Sequence, residues 1–128
     1  FISGYSGGGE TLSLVLDKRP ELYTAALLCS SRWDGGFEAL TRAQTPVYFV
    51  IGEDDEYYGA EPFRRAYREI RGIYEAAGLS GEAIDRLVRL DVKSASYFAA
   101  GNVSNQHGGG AGLFARDTDV MGWLFNRE

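Results

Sequence analysis

Apolar positions recur along the chain in two rhythms, short continuous runs and stripes at helical spacing, and the two rhythms alternate. The apolar start at Phe1 and Ile2 reads as a strand entering a glycine-rich turn, Gly4-Tyr5-Ser6-Gly7-Gly8. Glu10 to Arg19 then places Leu12, Val15 and Leu16 on one face and predicts a helix that stops before Pro20. Tyr23 to Ser30 is a short apolar run bounded by Pro20 and a polar loop, as expected of a strand buried on both faces. After the loop Ser31 to Gly36, Phe37 to Arg42 predicts a short helix before Pro46. Val47 to Ile51, β-branched and aromatic throughout and closed by Gly52, is the clearest strand in the chain. Gly59 to Gly78 carries Phe63, Ala66, Tyr67, Ile70, Tyr74 and Ala77 at helical spacing, with Arg64, Arg65, Arg68 and Arg71 on the solvated side. Ser80 is expected to cap a further short helix whose Ile84, Leu87 and Val88 share a face, and Leu90 to Val92 starts a last strand. Lys93 to Gly112 reads as a long loop rich in glycine and serine that holds the only histidine, His107. A closing helix from about Asp117 buries Val120, Met121, Leu124 and Phe125.

Strands buried on both faces alternating with helices predict an α/β fold with a mostly parallel sheet, in which reacting groups gather at the carboxyl ends of the strands. With 128 residues and 45% hydrophobic content, one domain with a real core is expected. A net charge of -5, with arginines interleaved among acids, argues against a nucleic-acid or anionic-membrane surface. Cys29 is the single cysteine and lies in an apolar run, which predicts a buried thiol and no internal disulfide. No apolar run of about eighteen residues suggests a membrane span. The chain opens inside a strand without a methionine, and is read as a fragment lacking an upstream half.

The candidate chemistry starts at Ser6. Gly4-Tyr5-Ser6-Gly7-Gly8 spells G-x-S-x-G between a strand and a helix, the context of a nucleophile elbow, where flanking glycines let strand and helix approach a strained serine. Its bland rival is a glycine-rich turn with a solvated serine. A dinucleotide-binding turn fits worse, because G-x-G-x-x-G is absent and neither Lys18 nor Lys93 is preceded four residues earlier by a tyrosine. Four acids, Glu53 to Glu56, leave the third strand, and His107 follows the last one, so the order along the chain is Ser, acid, His. The acids also fit a solvated strand exit or a weak cation site, and His107 a loop residue bonded to backbone. Calcium-loop spacing is absent, and one histidine makes a zinc site improbable.

These pieces carry a resemblance. Gly4-Tyr5-Ser6-Gly7-Gly8 with its helix ending at Arg19-Pro20-Glu21-Leu22, Val50-Ile51-Gly52-Glu53-Asp54-Asp55, and His107-Gly108-Gly109 before Met121-Gly122-Trp123-Leu124-Phe125 resemble the C-terminal half of an α/β-hydrolase. The likeness is to prolyl-oligopeptidase-like and polyhydroxyalkanoate-depolymerase-like esterases, and it implies a partial α/β-hydrolase fold whose N-terminal strands are missing. By the same resemblance, Ser6 is the nucleophile, Asp55 rather than Asp54 the triad acid, and His107 the base. The backbone N–H of Gly7 would serve the oxyanion, with the second donor on the missing half. The expected substrate is a small-molecule ester, with a short peptide as the alternative, and no cofactor or metal enters this reading. Tyr5, Trp33, Tyr57 and Tyr58 are candidates to line a substrate pocket, or equally to pack under loops. A third possibility is an inert half-domain, because the first strand would show a bare apolar edge.

Overall fold

The computed structural model describes residues 1–125. Four strands, β1 (Ile2–Tyr5), β2 (Ala26–Cys29), β3 (Val47–Gly52) and β4 (Val88–Lys93), form one sheet in the order β1-β2-β3-β4. Every pairing is parallel, with Tyr5 opposite Cys29, Cys29 opposite Val50, and Val50 opposite Asp91. Helices α1 (Gly7–Lys18), α2 (Glu38–Ala43), α3 (Glu61–Ala76) and α4 (Gly81–Leu87) join the strands. Beyond β4 come α5 (Ala95–Ala100), α6 (Gln106–Arg116) and α7 (Thr118–Phe125).

Successive side chains of a strand point to opposite faces, and here both faces are covered, which is why β2 and β3 are apolar without a break. Ala26 and Leu28 of β2, with Val47, Phe49 and Ile51 of β3, pack against Leu12 and Leu16 of α1, Leu40 of α2, and Phe63, Ala66, Ile70 and Tyr74 of α3. Leu27 and Cys29, with Tyr48 and Val50, face the other way onto Phe98 of α5, Phe114 of α6, and Val120, Trp123 and Leu124 of α7. The α/β architecture is thus a parallel sheet between two helical layers, the form of a partial α/β-hydrolase fold. Burial pushes the Cys29 thiol up to about 12, so at neutral pH it is a protonated, unreactive packing group.

Helix α3 ends as its sequence dictates. Gly78 sits at φ 88°, its N–H bonds the carbonyl of Glu75 at 3.0 Å, and the N–H of Leu79 bonds that of Tyr74 at 3.1 Å. This paired closure needs a residue in the left-handed region, where glycine carries no Cβ penalty. Ser80 caps α4 through its side chain, accepting from the N–H of Ala83 at 3.2 Å.

Four expectations are corrected. The first helix begins at Gly7, not Glu10, because the carbonyl of Ser6 already accepts from the N–H groups of Gly9 and Glu10, at 2.9 and 3.2 Å. The second strand shrinks to Ala26–Cys29. Val88, expected on a helical face, is instead the first residue of β4, fully buried opposite Val47. The stretch from Lys93 to Gly112 is no long loop: it is mostly α5 and α6, and His107 lies in the first turn of α6. Gly109 and Gly110 in it are packing residues. A Cβ at Gly109 would overlap Val103, and one at Gly110 would stand 3.1 Å from Ser30 Oγ.

Candidate active site

The parallel sheet delivers three turns to one end, those that follow β1 and β3 and the one that opens α6. Ser6 occupies the first, at φ 54° and ψ -122°, a conformation rare for a residue with a side chain and a store of about 1–3 kcal/mol of strain. Two bonds hold it there: its N–H reaches the carbonyl of Cys29 at 3.0 Å, and Ser31 Oγ donates to its carbonyl at 2.6 Å. Gly4 makes the turn sterically possible, since a Cβ there would lie 2.5 Å from the carbonyl oxygen of Gly8. A Cβ at Gly7 would meet no atom within 4 Å. Gly4→Ala is accordingly expected to cost about 1–3 kcal/mol and lower Tm by roughly 5 °C or more, with Gly7→Ala close to neutral. Thermal melts of the two variants check this contrast, and equal melting would contradict it.

Ser6 Oγ lies 3.0 Å from His107 Nε2, and His107 Nδ1 lies 3.0 Å from Asp55 Oδ2. The Asp55 side chain is wholly shielded from solvent, and its other oxygen accepts the N–H groups of Tyr57 and Tyr58 at 3.0 and 2.8 Å. A carboxylate only accepts, so Nδ1 carries the ring proton and Nε2 is left as an acceptor toward Ser6. Asp54, one residue earlier, is exposed and contributes its N–H to Gln106 Oε1 at 2.9 Å. The arrangement can take a proton from the serine hydroxyl and stabilise the imidazolium that results.

Aromatic rings surround the imidazole. Tyr5 and Tyr57 stack on it at centroid distances of 5.5 and 5.3 Å, and Tyr58 is tilted at 5.5 Å. The Tyr5 hydroxyl donates to the carbonyl of His107, and burial, then the Asp55 charge, raises its pKa. The Tyr58 hydroxyl donates to Glu10, and burial, then that bond, raises its pKa. Tyr57 is 73% exposed, which leaves its ring open to a ligand beside His107. Trp33 is not part of this group: it stacks on Phe37, meets Phe49 edge-on, and lines a hollow of about 380 Å³ with Arg32, Pro62 and Arg65.

Sequence reasoning missed the residues that tie these turns together. Glu56 Oε1 accepts the N–H of His107 at 2.9 Å and its Oε2 accepts that of Gln106 at 3.0 Å. Gln106 is buried against Gly52, where any Cβ would overlap its side-chain oxygen. The available signal was Asn105, a capping residue type just ahead of His107, whose side chain accepts from the N–H of Gly108 and starts α6. Among the described residues, no three His, Cys, Asp or Glu side chains gather as a metal ion would require. Nor is any described helix long and apolar enough to cross a membrane.

Neither a protein-family model nor the sequence of a curated protein matches the chain. Its fold is similar to the crystal structure of a thermostable esterase, with a TM-score of 0.72 and 20% sequence identity. The superposition covers 98% of this chain and 30% of the esterase, so the chain spans about a third of that protein's length.

Proposed function

We propose that the chain is the part of a serine hydrolase that carries nucleophile, acid and base, acting on carboxylic esters. The observation that carries this reading is the hydrogen-bonded series Ser6, His107, Asp55, set on a strained turn between a strand and a helix. The fold it shares with an esterase supports it.

In this reading Ser6 Oγ attacks the acyl carbon as its proton passes to His107 Nε2. Asp55 keeps Nδ1 protonated and stabilises the imidazolium, which then returns its proton to the leaving alcohol. Water deacylates Ser6 by the same route in reverse. The N–H of Gly7 donates to the oxyanion, and the second donor is proposed to lie on an upstream half outside these residues. Each such donor is worth about 3 kcal/mol, so its absence lowers turnover on the order of a hundredfold.

The test is a panel of p-nitrophenyl esters against short proline peptides, applied to this chain and to the chain extended upstream. Ester turnover, roughly a hundredfold faster in the extended chain, is the expected result. Faster cleavage of the peptides would move the assignment to a prolyl-oligopeptidase-like peptidase. If the folded extended chain cleaves neither, the hydrolase reading is lost.

A further inference from the structure

We propose that Glu56 is a positioning residue, which fixes the backbone carrying His107 to the turn carrying Asp55. This inference rests on the hydrolase reading for its effect on turnover. A proton relay requires the imidazole to hold two bonds at once, 3.0 Å to Asp55 on one side and 3.0 Å to Ser6 on the other. Those partners belong to different elements, so the relay is only as accurate as the placement of the first turn of α6 against the turn after β3.

Four hydrogen bonds join these two segments, and Glu56 makes two of them. Its carboxylate spans the N–H groups of Gln106 and His107, which an α-helix leaves without intrahelical partners in its first turn. Gln106 answers with its side chain on the N–H of Asp54, and His107 with its ring on Asp55. The negative charge also sits at the positive end of α6. The bonds from His107 and then Gln106 lower the Glu56 pKa, so the carboxylate is ionised throughout the neutral range. Exposed ion pairs elsewhere, such as Arg42 with Glu38 and Arg68 with Glu61, join side chain to side chain and tie nothing to the relay. Glu56 is solvent-facing yet bonded to the residue that bears the imidazole, and this placement distinguishes it from Glu53 and Asp54 in the same acidic run.

Alanine and glutamine at position 56 separate positioning from folding. Glu56→Ala removes both acceptors. Glu56→Gln keeps the shape but can accept only on its oxygen, and turns its NH2 toward the second N–H. Both variants are expected to lower kcat for a p-nitrophenyl ester about ten- to a hundredfold, the scale set by a displacement near 1 Å. KM should stay within about twofold and Tm within a few degrees, because the carboxylate touches neither the core nor a substrate surface. Amide hydrogen exchange gives a readout that needs no turnover: protection of the Gln106 and His107 N–H groups should fall at least about tenfold in both variants, with β3 unchanged. Wild-type kcat in the variants, or a loss explained by general unfolding in Glu56→Gln, would overturn the proposal. Absent turnover in the folded, upstream-extended wild type would remove the hydrolase reading instead. The exchange measurement would then decide alone whether Glu56 holds the backbone of His107.

Discussion

Replacing Ser6 by alanine is expected to lower kcat/KM for esters by about 10⁴-fold or more, with the fold intact. The magnitude follows from what the hydroxyl does in the proposed reaction. It is the atom that bonds to the acyl carbon, and once it is gone only binding and the oxyanion donor of Gly7 remain. Alanine has no relief to offer at φ 54°, so Ser6→Ala should melt close to the wild type. Glycine accepts this conformation without a Cβ clash, and Ser6→Gly should therefore be as inactive yet more stable, by about 1 kcal/mol or more. Turnover and melting measured together on the two variants check both statements. A Ser6→Ala protein that keeps ester turnover within about tenfold of the wild type would place the nucleophile elsewhere.

The second large effect is expected at Asp55. Asparagine there can still turn its oxygen toward the N–H groups of Tyr57 and Tyr58, which bond the carboxylate at 3.0 and 2.8 Å. Its NH2 then faces His107 Nδ1, and two donors cannot meet. The ring must switch its proton to Nε2, which leaves Ser6 facing a donor rather than a base. A loss of about 10⁴-fold in kcat is the scale expected for the wrong tautomer, with little effect on KM. Asp54→Asn is the control, because that side chain is exposed and only its backbone N–H touches the site. Its turnover should stay within about twofold. If the two variants exchanged their effects, Asp54 would be the acid and the hydrogen-bond geometry around His107 would have to differ from that described.

Much of this arrangement was legible in the residues. The tight turn at Ser6 can be read because a turn that needs close approach selects glycine at fixed offsets, and Gly4, where a Cβ would lie 2.5 Å from the carbonyl oxygen of Gly8, is the physical form of that signal. The third strand and the amphipathic α3 were legible for a different reason: burial on both faces of a sheet, or along one stripe of a helix, leaves a periodicity that survives in the sequence. Helices α5 and α6, which follow β4, were not legible. Gly108, Gly109, Gly110 and Gly112 lower helix propensity, and their apolar stripe is thin, so local preference argued for a loop. Tertiary packing decided otherwise, through buried Phe98 and Phe114 and the caps of Asn105 and Glu56 on α6. Trp33 illustrates the remaining gap. Its chain position suggested the same end of the sheet as Tyr57 and Tyr58, but its ring is taken up by Phe37 and Phe49 under the loop that follows β2. Sequence distance from a strand end does not say which way a loop side chain turns.

The proposed activation of the Ser6 hydroxyl by His107 and Asp55 can be read by covalent labelling. A fluorophosphonate reacts with an activated serine and forms a stable adduct that intact-mass measurement and peptide mapping can locate. One adduct is expected on the folded, upstream-extended protein, on the peptide containing Ser6, and none on the Ser6→Ala or His107→Ala variant. A folded protein left unlabelled, or an adduct that persists when Ser6 or His107 is replaced, would contradict it.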